Sequence, residues 1–230
     1  MLGLTPDELV AVRLSLRVAT WATLASLPVG LAVALLLARG RFWGHSALNV
    51  LVHLPLVLPP VVTGYILLLL LGRRGPLGQL LEQTLGIVVA FRWTGAVIAS
   101  AVMGFPLLVR AIRLSLEAVD HRLEDAARTL GASGPWVFLT VTLPLVLPGI
   151  LAGMILCFAK SLGEFGATIT FVSAIPGETR TLPAAIYSLT QVPGGEAGAL
   201  RLTMVAVALA MLALLASEIA ARRVAARVVE

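Results

Sequence analysis

The sequence predicts an all-α integral membrane protein with about five transmembrane helices. Hydrophobic residues make up 59% of the 230 positions and charged residues only 13%. The mean hydropathy of +0.98 is too high for a soluble domain of this size. Several apolar windows reach the length of about 20 residues that a helix needs to cross a bilayer core of roughly 30 Å. We therefore expect one helical transmembrane domain over residues 1–230.

The spans follow from the apolar windows in chain order. A sixth apolar patch at 167–175 is too short to cross, and we interpret it as a re-entrant or interfacial segment. Asp7 and Glu8 precede the first window where a signal peptide would carry basic residues, so we expect that window to remain as a helix. The five predicted spans are 14–38, 48–71, 94–112, 137–159 and 199–220.

The distribution of arginine predicts an outside N-terminus and an inside C-terminus. By the positive-inside rule, the ends of the first, third and fifth spans are cytoplasmic because arginines follow them. Arg73, Arg74 and Arg92, between the second and third spans, argue against this and leave the opposite orientation open. The net charge of +5 fits anchoring at a lipid surface without nucleic-acid binding. The supporting arginines are Arg39, Arg41, Arg110, Arg113, Arg122, Arg128, Arg222, Arg223 and Arg227.

The stretch LPLVLP occurs twice, at 54–59 and 143–148. Each proline removes a backbone N–H and pushes on the preceding turn, so we expect kinks in the second and fourth spans at matching depth. Gly64, Gly149 and Gly153 would let neighbouring helices approach closely beside the kinks. Chance convergence of leucine-rich sequence is the alternative explanation of the repeat. The predicted hinge residues are Pro55, Pro59, Pro144 and Pro148.

The connection at about 114–136 is the longest charged stretch of the chain. Apolar residues recur there at intervals of three and four, which predicts an amphipathic helix that Gly131 ends. Such a helix lies on lipid or docks into another protein, and the mixed charges favour a protein. The apolar stripe is Leu116, Val119, Leu123, Ala126 and Leu130, and the polar face carries Glu117, His121, Glu124 and Arg128.

The run DAARTLGASGPWVFLTVTLP in this connection resembles the EAA loop of ABC importer permeases. That pattern is E-A-A, three residues, G, nine residues, I, any residue, and L-P. Asp125 replaces the glutamate and Val141 the isoleucine; because Glu124 is adjacent, either carboxylate is a candidate for the docking contact. The resemblance implies that this loop is the coupling helix seated in a cleft of the ATP-hydrolysing subunit. The matched positions are Asp125, Ala126, Ala127, Gly131, Val141, Leu143 and Pro144.

Over about residues 5–220 the chain is similar to the membrane subunits of bacterial molybdate importers, with sulfate and thiosulfate permeases as near relatives. The segments LPLVLPPVVTGYILLLLLGRRG, FPLLVRAIRLSLEAVD and SLGEFGATITF carry this similarity. It implies a type I ABC importer permease fold in the bacterial inner membrane. It also implies a second copy of the chain, two ATPase subunits and an extracytoplasmic binding protein. The expected cargo is molybdate or tungstate, imported by alternating access, with sulfate or thiosulfate as the alternative.

The sequence contains no nucleotide-binding loop. It has no G-x-x-x-x-G-K-[ST] pattern, and Lys160 is its only lysine. We therefore expect that the chain is not itself an enzyme and holds no cofactor or metal. The partner ATPase would bind ATP and Mg²⁺.

The segment at about 160–198 is the predicted gate and extracytoplasmic region. Its hydroxyls and glycine-exposed N–H groups suit a passing tetrahedral dianion. Glu164 would repel that anion, so we expect it to pair with Lys160 or with an arginine. An ordinary helix end without anion contact is the alternative. The predicted path residues are Ser161, Gly163, Glu164, Phe165, Gly166, Thr168 and Thr170.

Two other classes of protein are disfavoured. The G-x-S-G pattern at 131–134 is typical of rhomboid-like serine proteases, but the three histidines all precede Ser133 and that serine lies in the polar loop. A passive channel is not excluded, although the spans carry few charges along a path. Cys157 is alone and fits a core position.

Overall fold

A computed structural model describes the backbone of residues 3–229 and the side chains of residues 3–216 and 219. All regular secondary structure in this part of the chain is helical. The arginines that follow the last predicted span lie outside the described side chains. The helices are α1 (Pro6–Arg39), α2 (His45–Val57), α3 (Pro60–Leu71), α4 (Pro76–Leu85), α5 (Trp93–Glu117), α6 (His121–Thr129), α7 (Gly134–Val137), a π-helical turn (Phe138–Thr142), α8 (Leu143–Leu162), α9 (Gly166–Val172), α10 (Leu182–Thr190) and α11 (Glu196–Val229).

Four of the described helices are long and apolar enough to cross a membrane. They are α1, α5, the continuous helix Gly134–Leu162 that joins α7 to α8, and the part of α11 at Glu196–Ala216. Helices α2 and α3 are together long and apolar enough to make a fifth span. They are bent by 115° where they meet, so this span is a broken helix. The predicted number of about five spans is therefore confirmed. The expectation of one merely kinked helix over 48–71 is wrong.

The first helix begins with a reciprocal cap. The Thr5 hydroxyl accepts a hydrogen bond from the Glu8 backbone N–H, and the Glu8 carboxylate accepts one from the Thr5 backbone N–H. Pro6 follows as the first helical residue, where its missing N–H costs nothing. These residues fix the start of α1 two turns before the apolar window.

Helix α5 forms the centre of the bundle and packs lengthwise against α1 and α8. Small residues make this possible: a Cβ on Gly153 would lie 3.0 Å from the Leu108 carbonyl oxygen, and one on Gly149 would overlap Ser115. Such close approach increases the dispersion contacts between helix backbones inside a bilayer. The predicted role of these two glycines is confirmed. Cys157 is fully buried in the same core, as its isolated position suggested.

The two LPLVLP copies differ in local structure, so the expected match between them is wrong. In the first copy α2 ends at Val57, Leu58 is extended, and Pro59 caps α3. The second copy lies within a continuous helix, directly after the π-helical turn. The first copy is followed by Pro60, so two consecutive residues precede a proline and are pushed out of the helical region.

The short patch after α8 does not cross the bundle. Helix α9 is seven residues long, and it packs against α3 and α5 with Ala167 and Phe171 fully buried. A Cβ on Gly64 of α3 would overlap the backbone of Ala167, so the close approach predicted at Gly64 is made with α9. The interpretation of this patch as a non-spanning segment is confirmed.

Candidate coupling loop and translocation path

The predicted amphipathic helix is shorter than the sequence pattern indicates. Helix α5 ends at Glu117, and α6 begins only after Asp120, whose carboxylate accepts a hydrogen bond of 2.9 Å from the Arg122 backbone N–H. The chain leaves α6 through Gly131, which has a φ of +88° that glycine adopts without strain. The loop thus holds a separate nine-residue helix, α6, between α5 and α7.

In helix α6 the Glu124 side chain faces the bundle, whereas Leu123 and Leu130, the residue after the helix, face outward. Only 1% of Glu124 is exposed, whereas Leu123 and Leu130 are 50% and 89% exposed. The periodicity separated Leu123 and Leu130 from Glu124, but it did not predict which of these side chains lies against the bundle. Partners elsewhere in the chain decide this.

Glu124 connects three elements. Arg39, at the end of α1, donates two hydrogen bonds to its carboxylate, of 2.8 Å from Nη1 and 2.5 Å from Nη2. Thr142, at the end of the π-helical turn, donates a third of 2.5 Å from its hydroxyl. Arg128 and His121 of α6 lie 3.9 and 3.7 Å from the same carboxylate. The coupling loop is therefore tied to α1 and to the start of α8.

The charge state of Glu124 follows from these contacts. Burial by itself raises the pKa of the carboxyl group, but the hydrogen bonds from Arg39 and Thr142 and the charges of Arg39 and Arg128 outweigh it. The net result is a pKa below the ordinary value of 4.5. Glu124 is thus an anion at neutral pH.

Asp125 has the opposite environment. Its side chain is 67% exposed, and its carboxylate accepts a hydrogen bond of 2.9 Å from Nη1 of Arg128, which is also exposed. Ala126 lies exposed beside it, and Ala127 is half-buried. Further along the motif, Val141 and Leu143 are half-buried at the start of the long helix and Pro144 is exposed. The exposed surface of α6 thus carries the Asp125 carboxylate, the apolar Leu123 and Ala126, and the guanidinium groups of Arg122 and Arg128.

The predicted pairing of Glu164 is confirmed. Lys160 Nζ lies 2.9 Å from Glu164 Oε2, and the Ala167 backbone N–H donates to Oε1 at 2.9 Å. The carboxylate is buried, and it bridges the break between α8 and α9. Glu164 therefore neutralises the only lysine of the chain and caps α9.

The hydroxyl groups of the predicted path donate to backbone carbonyls. Ser161 donates to the Ser100 carbonyl oxygen at 3.2 Å, Thr168 to that of Phe165 at 2.9 Å, and Thr170 to that of Gly166 at 2.8 Å. These bonds stabilise the helix break and occupy the hydroxyl protons that an anion would need. Phe165 is half-buried against Tyr187, at 5.1 Å between ring centroids. Gly163 is exposed at the end of α8, and a Cβ on Gly166 would lie 2.7 Å from Cβ of Pro60.

Residues 26–229 match the family described as binding-protein-dependent transport system inner membrane component. The chain belongs to this family. It is a multi-pass inner membrane protein, and permeases of this kind work within ATP-driven complexes.

Among the relatives of this permease, the Escherichia coli (strain K12) molybdenum transport system permease protein ModB is 62% identical over 220 residues, covering 95% of this chain and 96% of the relative. The Synechococcus elongatus sulfate transport system permease protein CysW is 39% identical, covering 75% of this chain and 60% of the relative. An inward-facing structure of the MetNI methionine ABC transporter has a TM-score of 0.71 at 17% identity, covering 93% and 94% of the two chains. The predicted ABC importer permease fold is confirmed.

Sequence reasoning did not find several groups that hold this permease together. Arg39 and Thr142 lie 85 and 18 positions from Glu124, and no local pattern connects them. On the opposite side of the bundle, Arg201 of α11 donates to Glu8 of α1 at 2.7 Å. The capping pattern from Thr5 to Glu8 could have been recognised from sequence, whereas the Arg201 contact depends on the fold.

Proposed function

We propose that this chain is the membrane subunit of an ATP-driven importer that moves molybdate into the cytoplasm by alternating access. The observation that carries the proposal is the 62% identity to a molybdenum transport permease over nearly the whole of both chains. The sulfate transport permease shares less identity with this chain over a shorter stretch, so the comparison supports sulfate as the cargo less strongly than molybdate. Tungstate, which has the same tetrahedral shape and charge as molybdate, is a further expected cargo.

The working importer would contain two copies of this chain, two ATPase subunits and an extracytoplasmic binding protein that delivers the anion. This chain would hydrolyse no ATP and hold no cofactor, since ATP and Mg²⁺ would be bound by the ATPase subunits. The exposed face of α6 supports the ATPase contact, because leucines and one carboxylate stand clear of the bundle there. Asp125 is the better candidate for the docking carboxylate, since the Glu124 carboxylate is already enclosed within the chain.

The contacts of Glu124 suggest how coupling works in this importer. A displacement of α6 pulls on Arg39 of α1 and on Thr142 of the π-helical turn through one buried carboxylate. The π-helical turn supports this route, because such turns are rare inside helices and occur frequently at functional sites. Movement then reaches the proline-containing segments, where Pro55, Pro59, Pro144 and Pro148 act as hinges between inward-open and outward-open states.

The gate would lie at the break between α8 and α9, with the path residues from Ser161 to Thr170 around it. Because the hydroxyl protons there are bound within the chain, we assign these residues to shaping the gate. Anion contact at this level would come from the exposed backbone at Gly163 and from Lys160, which is 31% exposed in its side chain.

The proposal is tested by uptake of radiolabelled molybdate at submicromolar concentration, with excess sulfate present. Cells lacking the chain are compared with the same cells after the chain is restored. Restored uptake that sulfate does not suppress supports molybdate import. Uptake that stays absent, or that sulfate abolishes, refutes the substrate assignment. Asp125→Arg should abolish uptake and ATPase co-purification, while Asp7→Arg on the opposite side of the membrane serves as the charge-matched control.

A further inference from the structure

A polar cleft of about 260 Å³ lies between α2 and α5. It is formed by the middle of α2 and the last turns of α5, which the orientation from arginine distribution places at the cytoplasmic side. Its volume exceeds that of a water molecule, about 30 Å³ in the liquid, several times over. The lining residues are Asn49, His53, Arg110, Arg113, Leu114 and Glu117.

The hydrogen bonds inside the cleft join Arg113 to Glu117 and Asn49 and leave further N–H donors without a partner in the described side chains. The Glu117 carboxylate accepts from Nε of Arg113 at 2.7 Å, and the Asn49 side-chain oxygen accepts from Nη1 of Arg113 at 3.0 Å. His53 Nδ1 lies 2.8 Å from the Asn49 backbone oxygen and donates to it. The Asn49 amide N–H₂ group and the remaining N–H groups of Arg113 are left to donate to a ligand.

Arg110 adds a charge that the described residues do not neutralise. Within the part of the chain whose side chains are described, it takes part in no ion pair, whereas Arg113 is paired with Glu117. Two guanidinium groups thus face one carboxylate, and one positive charge remains.

The position of Arg110 along α5 indicates where its charge lies relative to the bilayer. It follows Trp93, the first residue of α5, by 17 positions, which corresponds to about 26 Å along a helix that rises 1.5 Å per residue. Arg110 therefore lies at the edge of the roughly 30 Å bilayer core, and its side chain is exposed there. An exposed guanidinium group at this level is open to an anion from the aqueous phase or from a lipid headgroup.

We propose that this cleft binds a tetrahedral oxyanion. Arginine is suited to the task because its planar fork donates two parallel hydrogen bonds to neighbouring oxygens of one anion. Two sources supply this chemistry at the cytoplasmic side. One is the transported anion on its way out of the permease, and this source rests on the proposed function. The other is the phosphate of an anionic lipid headgroup.

The test uses the whole complex, this chain together with its ATPase subunits, in nanodiscs of zwitterionic phosphatidylcholine. Equilibrium binding of radiolabelled molybdate, and separately of radiolabelled sulfate, is measured for the wild type and for Arg110→Gln. Loss of a charge-assisted contact should weaken binding by about tenfold or more. Arg110→Lys keeps the charge and should weaken binding less, and Arg74→Gln removes an exposed charge from the opposite side as the matched control. A second arm counts phosphatidylglycerol molecules that co-purify with each variant.

Molybdate binding that Arg110→Gln weakens and Arg74→Gln leaves unchanged assigns the cleft to the transported anion. Sulfate binding with the same variant pattern, without molybdate binding, keeps the oxyanion site and refutes the proposed substrate. If neither free anion binds but Arg110→Gln loses phosphatidylglycerol that Arg74→Gln retains, the source is lipid. The inference is overturned if anion binding and lipid retention are both independent of Arg110 while the variant complex remains intact by size-exclusion chromatography.

Discussion

Replacing Glu124 by glutamine should loosen the coupling loop from the bundle. The substitution keeps the size of the side chain and an oxygen for the Thr142 hydroxyl, but it removes the charge that Arg39 faces. Leaving one partner of a buried ion pair uncompensated costs about 3–5 kcal/mol. The Arg39 side chain is 28% exposed, so water replaces part of the lost contact. We therefore expect a loss of about 2 kcal/mol, equivalent to about 4–8 °C in Tm for a chain of this length.

The measurement is the Tm of the purified complex in one detergent, compared with Asp125→Asn as the matched control. Asp125 is the neighbouring carboxylate but is largely exposed, so neutralising it should change the stability by less than about 1 kcal/mol. Glu124→Gln should also uncouple ATP hydrolysis from uptake, since α6 would move without pulling on α1. Equal Tm values for the two variants would refute the assignment of Glu124 as the anchor of the loop.

The difference in Tm between the wild type and Glu124→Gln should depend on pH. Because the pKa of the folded Glu124 carboxyl lies below its ordinary value of 4.5, the stabilisation is complete above that value. It is lost as the pH falls below 4.5 and through the pKa of the folded state. The Arg128 guanidinium group, 3.9 Å from the carboxylate, keeps its charge over that range. The Tm gap between wild type and Glu124→Gln should thus be full at pH 7 and shrink toward pH 4; a gap independent of pH would contradict this.

Three further outcomes are expected. Gly64→Ala should lower the Tm, because its Cβ overlaps the backbone of α9 at a cost of about 1–3 kcal/mol, while Gly134→Ala, which has open space, should leave the Tm nearly unchanged. Lys160→Met should destabilise the complex by about 3 kcal/mol, and adding Glu164→Gln should recover most of that loss; additive effects would show that the two do not interact. Cys157 should resist maleimide labelling until the chain is denatured, and rapid labelling of the native complex would contradict its burial.

The regular parts of this fold could be predicted from sequence because they depend on local composition. Long apolar windows gave the spans, and the spacing of Lys160 and Glu164 gave their ion pair. The break at Pro59 exceeds the kink expected of a single proline, because Pro59 and Pro60 in succession push both Leu58 and Pro59 out of the helical region. The inward turn of Glu124 could not be predicted, because its partner Arg39 is 85 positions away. Periodicity finds the faces of a helix, and distant contacts decide which face is buried.

Helix α1 is held by an ion pair near each end, from Glu8 to α11 and from Arg39 to α6. Its 34 residues span about 51 Å, far more than the bilayer core, so it must tilt or protrude. Gly30 presses against Leu108 of α5, where a Cβ would lie 2.8 Å from the Leu108 side chain. Gly30 lies about 14 Å from Arg39 and about 36 Å from the start of the helix. A tilt of α1 about this contact would therefore move its Glu8 end more than twofold farther than its Arg39 end, in the opposite direction.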